Sequence, residues 1–203
     1  MSLPSIAQML KFANLQIAAE ALYDFNAKEK PFEVPGGVIS SESHFDGLIR
    51  SDILTTGNLH ASKFTQTAAN EFVEQWKVVD HVSNTTTGFS GTLFQALKDD
   101  PSQGIRKDDY VLSIRSTEFI DDMVRDSVAT NVMEIKKFGW AFGQIADLND
   151  WYVKLKADGT LPATAKLDVT GYSLGGHLAT AFNLLHQAEL NGGQVVTFNG
   201  AGV

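Results

Sequence analysis

The chain has 203 residues, with 16 Lys and Arg against 24 Asp and Glu, a net charge of −8, and no Cys. With 43% hydrophobic residues the length suits one globular domain, and the acidic balance, with no Lys/Arg run longer than two, argues against a nucleic-acid partner. The lack of Cys excludes a disulfide scaffold, a thiolate metal site and a Cys nucleophile.

From Pro4 to about Tyr23, Ile6, Leu10, Ala13, Ile17 and Ala21 recur in steps of three and four, which predicts a helix with that face inward. Residues 29–60 show no sustained period and read as a long irregular or lid-like stretch with short helical pieces, with Phe45, Leu48, Ile49, Ile53 and Leu54 as an apolar face that is either a lid surface or, as such stripes more often are, core packing. A second helix is predicted from about Ser62 to Lys77, with Phe64, Ala68, Phe72 and Trp76 in line. This gives a helical N-terminal region over 1–77 and a sheet core over 78–203, together one domain.

Val78 to Val82 reads as a short strand and Phe89 to Leu97 as the strand returning after a turn cluster at Ser83–Gly88. Tyr110-Val111-Leu112-Ser113-Ile114 is nearly all apolar, as expected of a strand covered on both faces. A short helix is predicted at Ile120 to Val128 and a longer one at Lys136 to Lys156. Then come a strand at Lys166 to Thr170, a helix at Leu174 to Leu190 and a last strand at Gln194 to Phe198. Strands alternating with helices predict an α/β fold with a mostly parallel central sheet flanked by helices.

Gly171-Tyr172-Ser173-Leu174-Gly175-Gly176-His177 fits G-x-S-x-G between a predicted strand and a predicted helix. On such a turn the flanking glycines leave room for a serine in a strained backbone conformation. Ser173 is the candidate nucleophile, and the backbone N–H of Leu174 is a candidate oxyanion donor at a helix N-terminus. The plainer alternative is a serine that only caps the helix.

Thr170 to Ala179 is similar to the T-G-H-S-L-G-G-x-L-A elbow of the class 3 lipase family of α/β-hydrolases. Tyr110 to Glu118 resembles that family's strand ending F-R-G-T or F-R-G-S, and Asp121-Asp122 with Asp126 resembles its D-x-x-x-D. Val196-Thr197-Phe198-Asn199-Gly200 resembles its T-F-G strand. The wording of these motifs looks closest to bacterial lipase-like domains of large secreted proteins. The resemblance covers residues 78–203 and implies an α/β-hydrolase fold and a serine ester hydrolase acting on lipid or other acyl esters, at a lipid–water interface and outside the cell, with the cytoplasm as the alternative location. It implies that Thr117 supplies the second oxyanion donor, through its N–H and hydroxyl. Ser116 stands where the family has Gly, and Tyr172 where it has His.

In that fold an Asp or Glu and then a His follow the Ser. The 30 residues after Ser173 hold no Asp, and their ionisable groups are His177, His186 and Glu189. His177 lies on the nucleophile's own helix, a poor place for a base that must approach from another loop, and His186 with Glu189 reads as a solvated pair. His44, His60 and His81 come before the Ser. The expectation is therefore that this is the N-terminal part of a longer hydrolase, with acid and base beyond Val203. A second expectation, from a different function class, is a catalytically incomplete hydrolase-like domain that binds lipid or a partner. No cofactor or metal is indicated: Asp99-Asp100 and Asp108-Asp109 lack the alternating acidic spacing of a calcium loop. No stretch approaches the roughly 20 apolar residues of a membrane span, and Met1 to Pro4 carries no signal-peptide features.

Overall fold

At Trp76 the chain passes directly from helix to strand, and from there the sheet is laid down in sequence order. A computed structural model describes residues 4–21, 51–57, 63–82, 85–116, 137 and 140–200. Its elements are helices α1 (Ile6–Ala19), α2 (Ser51–Thr56) and α3 (Gln66–Gln75), then strands β1 (Trp76–Val82), β2 (Gly91–Ala96) and β3 (Tyr110–Ile114). Helix α4 (Phe142–Ala157), strand β4 (Leu167–Tyr172), helix α5 (Leu174–His186) and strand β5 (Val195–Phe198) complete them.

The strands lie side by side as β1-β2-β3-β4-β5. β1 pairs with β2, and β2 with β3, antiparallel; β3 pairs with β4, and β4 with β5, parallel. The expected mostly parallel sheet is therefore corrected to a mixed one, half its pairings antiparallel. The connections decide this. β4 and β5 are joined through helix α5, and such a crossover returns the chain in the same direction. Between β2 and β3 the described chain holds only a 3₁₀ turn at Pro101–Gln103, so β3 returns antiparallel. The architecture is α/β, with helices on both faces.

The pleat sorts the core into two layers. Phe94 and Val111 face each other in register and pack with Phe12, Leu15, Leu54 and Phe72 on the α1 side. Leu93 and Leu112, one residue along, pack with Leu148, Tyr152, Leu178 and Phe182 on the α4–α5 side.

Helix α1 begins with a capping box, in which Ser5 Oγ accepts from the Gln8 N–H and Gln8 Oε1 accepts from the Ser5 N–H. Its inward face differs from the expected one. Ile6 is 90% exposed and Leu10 56%, while Lys11, Phe12, Leu15, Gln16, Ala18 and Ala19 are buried. The reason is chemical. Lys11 Nζ donates to Asp168 Oδ2 of β4 at 2.8 Å, and Gln16 Nε2 to the Ile114 carbonyl at 3.2 Å. Polar side chains with partners inside rotated the helix away from the face that apolar spacing selects.

Two further boundaries shift. The second predicted helix stops at Gln75, and Trp76 opens β1 instead of closing the helical line. Of the two readings of the 29–60 stripe, Ile53 and Leu54 follow core packing: they lie on the short helix α2 and are buried with Phe64 and Phe72. The helix expected to reach Leu190 ends at His186 and continues as a 3₁₀ turn, Gln187–Glu189. Phe45, Leu48 and Ile49, the helix expected at 120–128, and Asp121, Asp122 and Asp126 lie outside the described residues. No helix among the described residues is long and apolar enough to cross a membrane.

Candidate active site

The carboxyl ends of β3, β4 and β5 meet at one edge of the sheet, because the three strands run parallel. Ser173 sits there, between the last residue of β4 and the first of α5. Its backbone is at φ 53°, ψ −119°, and its N–H donates to the Phe198 carbonyl at 3.0 Å. A positive φ is uncommon for a side-chain-bearing residue, and this region costs on the order of 1–3 kcal/mol.

Three glycines account for the turn. A Cβ on Gly171 would lie 2.1 Å from the Gly175 carbonyl oxygen. One on Gly175 would lie 2.3 Å from the Ile114 carbonyl oxygen and 2.9 Å from that of Arg115. One on Gly176 would lie 2.8 Å from Gly200 Cα. The N-terminus of α5 is thus wedged between the end of β3 and the loop after β5, at distances that only hydrogen can fill.

The Ser173 side chain makes no capping hydrogen bond to α5. The simple helix-cap alternative is not what this serine does. Leu174 opens α5, and its N–H is one of the first-turn amides that a helix leaves without an intrahelical partner. Thr117, the other expected oxyanion donor, lies outside the described residues. Ser116, the residue before it, is described: its N–H donates to Glu20 Oε1 at 2.9 Å.

Beside the elbow is an open cleft of about 540 Å³, lined by Gln16, Ile17 and Glu20 of the α1 segment, by Ser116, and by Tyr172 and Asn199 next to the serine. Tyr172 is exposed here rather than packed. Glu20 is the residue that apolar periodicity could not find. It is nearly sealed from solvent, receives the Gln16 Nε2–H at 2.9 Å, and has Arg115 Nε 3.9 Å from its second oxygen. Its only sequence signal is position: an acid directly after a helix, at the end where the dipole disfavours it.

The described histidines are engaged in packing. His177 is fully buried, with its ring 5.3 Å from that of Trp140 and its Nε2 accepting the Ala141 N–H at 3.4 Å. His81 is buried in β1 against Thr92 Oγ1 at 2.9 Å, and burial first, then the Arg115 charge, lower its pKa to about 3. His186 and Glu189 do pair, at 2.8 Å, with Glu189 partly open to solvent. Asn149, Tyr152 and Lys156 of α4 close around them, and hydrogen bonds, first from Lys156 and then from His186, hold the Glu189 carboxyl down to about 2. His44 and His60 lie outside the described residues.

Among the described residues no cluster of three or more His, Asp or Glu is arranged to hold a metal ion. The loop acids have other work. Asp100 accepts from Ser102 and Gln103, Asp99 from the Lys107 N–H, Asp108 from Gln95, and Asp109 from the Arg106 N–H and Lys166.

The chain is similar to Lip2 lipase from Yarrowia lipolytica. The likeness has a TM-score of 0.44 at 15% identity and covers 98% of this chain. This chain spans 60% of the length of that lipase chain. No protein-family model matches the sequence, and no curated protein matches it.

Proposed function

We propose that the chain carries the nucleophile of a serine ester hydrolase of lipase type, acting on lipid or other acyl esters. The observation that carries this reading is the Ser173 backbone: φ 53°, ψ −119° on a strand-to-helix turn, with its hydroxyl not spent on capping. Strain of this kind persists only where the surroundings enforce it, and Gly171, Gly175 and Gly176 are the surroundings that do so.

In this reading Ser173 Oγ attacks the ester carbonyl carbon and its proton passes to a base. The Leu174 N–H and the N–H and hydroxyl of Thr117 hold the oxygen that becomes negative. The tetrahedral intermediate collapses, the C–O bond to the alcohol breaks, and the alcohol leaves with the proton. Water then hydrolyses the acyl-enzyme and frees the acid. We assign the base and its acid partner to none of the described histidines, since His81, His177 and His186 are each held by other groups. Lipid as the acyl donor follows from the resemblance of the three motifs to class 3 lipases.

A fluorophosphonate probe tests the reading on the complete natural protein. Labelling that maps to Ser173 and disappears in Ser173→Ala is the expected result. No labelling, together with no turnover of any ester from short to long acyl chains, overturns it and leaves a hydrolase-like lipid- or partner-binding module.

A further inference from the structure

The Glu20 carboxylate stands against two costs. It is buried, and it follows the C-terminus of α1, where the helix dipole repels negative charge. What holds it there is a set of bonds to the end of β3. The Ser116 N–H and the Gln16 amide both donate to Oε1 at 2.9 Å. Gln16 also bonds the Ile114 carbonyl, and its own Oε1 accepts from Ser113 Oγ at 3.3 Å.

Ile114 and its neighbour Arg115 also meet the elbow. Gly175 is packed so closely on the Ile114 and Arg115 carbonyls that a Cβ there would overlap them. The backbone over 114–116 is therefore clamped, with Glu20 and Gln16 on one side and the first turn of α5 on the other. The Ser116 N–H shares its peptide plane with the Arg115 carbonyl, so rotation of that plane moves one of the two carbonyls on which Gly175 rests, and with it the Leu174–Gly175 backbone beside Ser173.

We infer that Glu20 is a positioning residue for Ser173, acting through its hydrogen bond to the Ser116 N–H. This rests on the proposed serine chemistry. The labelling rate reads the hydrogen bond rather than the charge: a glutamine keeps an oxygen at the same reach but gives up the buried Arg115 ion pair, which is expected to lower the melting temperature, whereas an aspartate keeps the charge but is one methylene shorter.

The test is the rate of fluorophosphonate labelling of Ser173 in the complete natural protein, resolved into probe affinity and maximal rate. Glu20→Ala and Glu20→Asp are each expected to lower the maximal rate by about tenfold or more, with probe affinity within about twofold. Glu20→Gln is expected to lose no more than about threefold. A merely structural role would lower the melting temperature of Glu20→Asp and leave the labelling rate of its folded fraction at the wild-type value, which overturns the inference. A Glu20→Gln loss as large as that of Glu20→Asp also overturns it, because an acceptor oxygen at the right reach would then not be what sustains the rate. If Glu20→Ala does not fold, the aspartate–glutamine contrast decides alone. Wild-type protein that does not label removes the serine chemistry and this inference with it. Wild-type protein that labels no faster than Glu20→Asp removes the inference only.

Discussion

The Cα hydrogen of Gly171 points at the carbonyl oxygen of Gly175, where a methyl carbon would come within 2.1 Å. The neighbour is backbone in the first turn of α5, so no side chain can swing aside. β4 is also held between β3 and β5 and cannot slide. Gly171→Ala is expected to cost about 3 kcal/mol or more, in the range of severe overpacking. Gly159→Ala, with φ 79° but nothing within 4 Å, is expected to cost only about 1 kcal/mol. Urea unfolding of the two variants measures the contrast.

Ser173 separates stability from reactivity. Ser173→Gly removes the Cβ that makes a positive φ costly and is expected to be more stable than Ser173→Ala by about 1 kcal/mol. Both variants are expected to lose probe labelling. Equal unfolding midpoints for the two would show that the turn stores no strain.

Lys11 and Asp168 form an ion pair almost without solvent contact, 2.8 Å apart, that ties α1 to β4. Removing one partner leaves a buried charge. Lys166, 3.4 Å from the same carboxylate, and the Gln194 N–H at 3.0 Å compensate in part. Lys11→Met is expected to cost about 3 kcal/mol, and Lys11→Met/Asp168→Asn less than the sum of the two single changes. A double-mutant cycle by chemical denaturation reads the coupling.

His81 sets an acid sensitivity. Its folded pKa, about 3, lies below the ordinary 6.5, so the unfolded chain takes up a proton that the folded chain refuses. Stability from the neutral ring is complete above pH 6.5 and falls as the pH drops from there towards 3. At pH 5 the loss from this group is about 2 kcal/mol. His81→Asn is expected to flatten the pH dependence of unfolding between pH 7 and 5, and an unchanged slope would place the acid sensitivity elsewhere.

The elbow was legible because its residues are constrained one by one: Gly171, Gly175 and Gly176 each meet backbone, and such contacts leave a mark in the sequence. The strand at Tyr110 to Ile114 was legible for a similar reason, since both its faces are covered and nearly every residue is apolar. The orientation of α1 was not. Lys11, Gln16 and Glu20 look like solvent-facing residues until Asp168, Ile114 and Ser116 are known to lie beneath them, and those partners are about a hundred positions or more away. The mixed sheet is half legible: Phe89 to Leu97 reads as a strand returning antiparallel to β1, while the second half, where helices alternate with strands, reads as parallel and conceals the antiparallel β2–β3 pairing. The antiparallel half is joined through segments too polar and too short to form a crossover helix.

Among the described residues the strand order follows the order of the sequence, and no strand is inserted between two earlier ones. Each new strand therefore adds to an edge that is already exposed, and no completed pair has to open to admit it. The β1–β2–β3 meander, made of near neighbours in the chain, closes with little loop entropy. β4 and β5 then dock behind their helices as longer loops close. The turn at Ser173 is formed only when β5 arrives, because the Ser173 N–H needs the Phe198 carbonyl. On a ribosome, the carbonyl that holds the strained residue is therefore made only after β1 to β4, the scaffold that bears its strain.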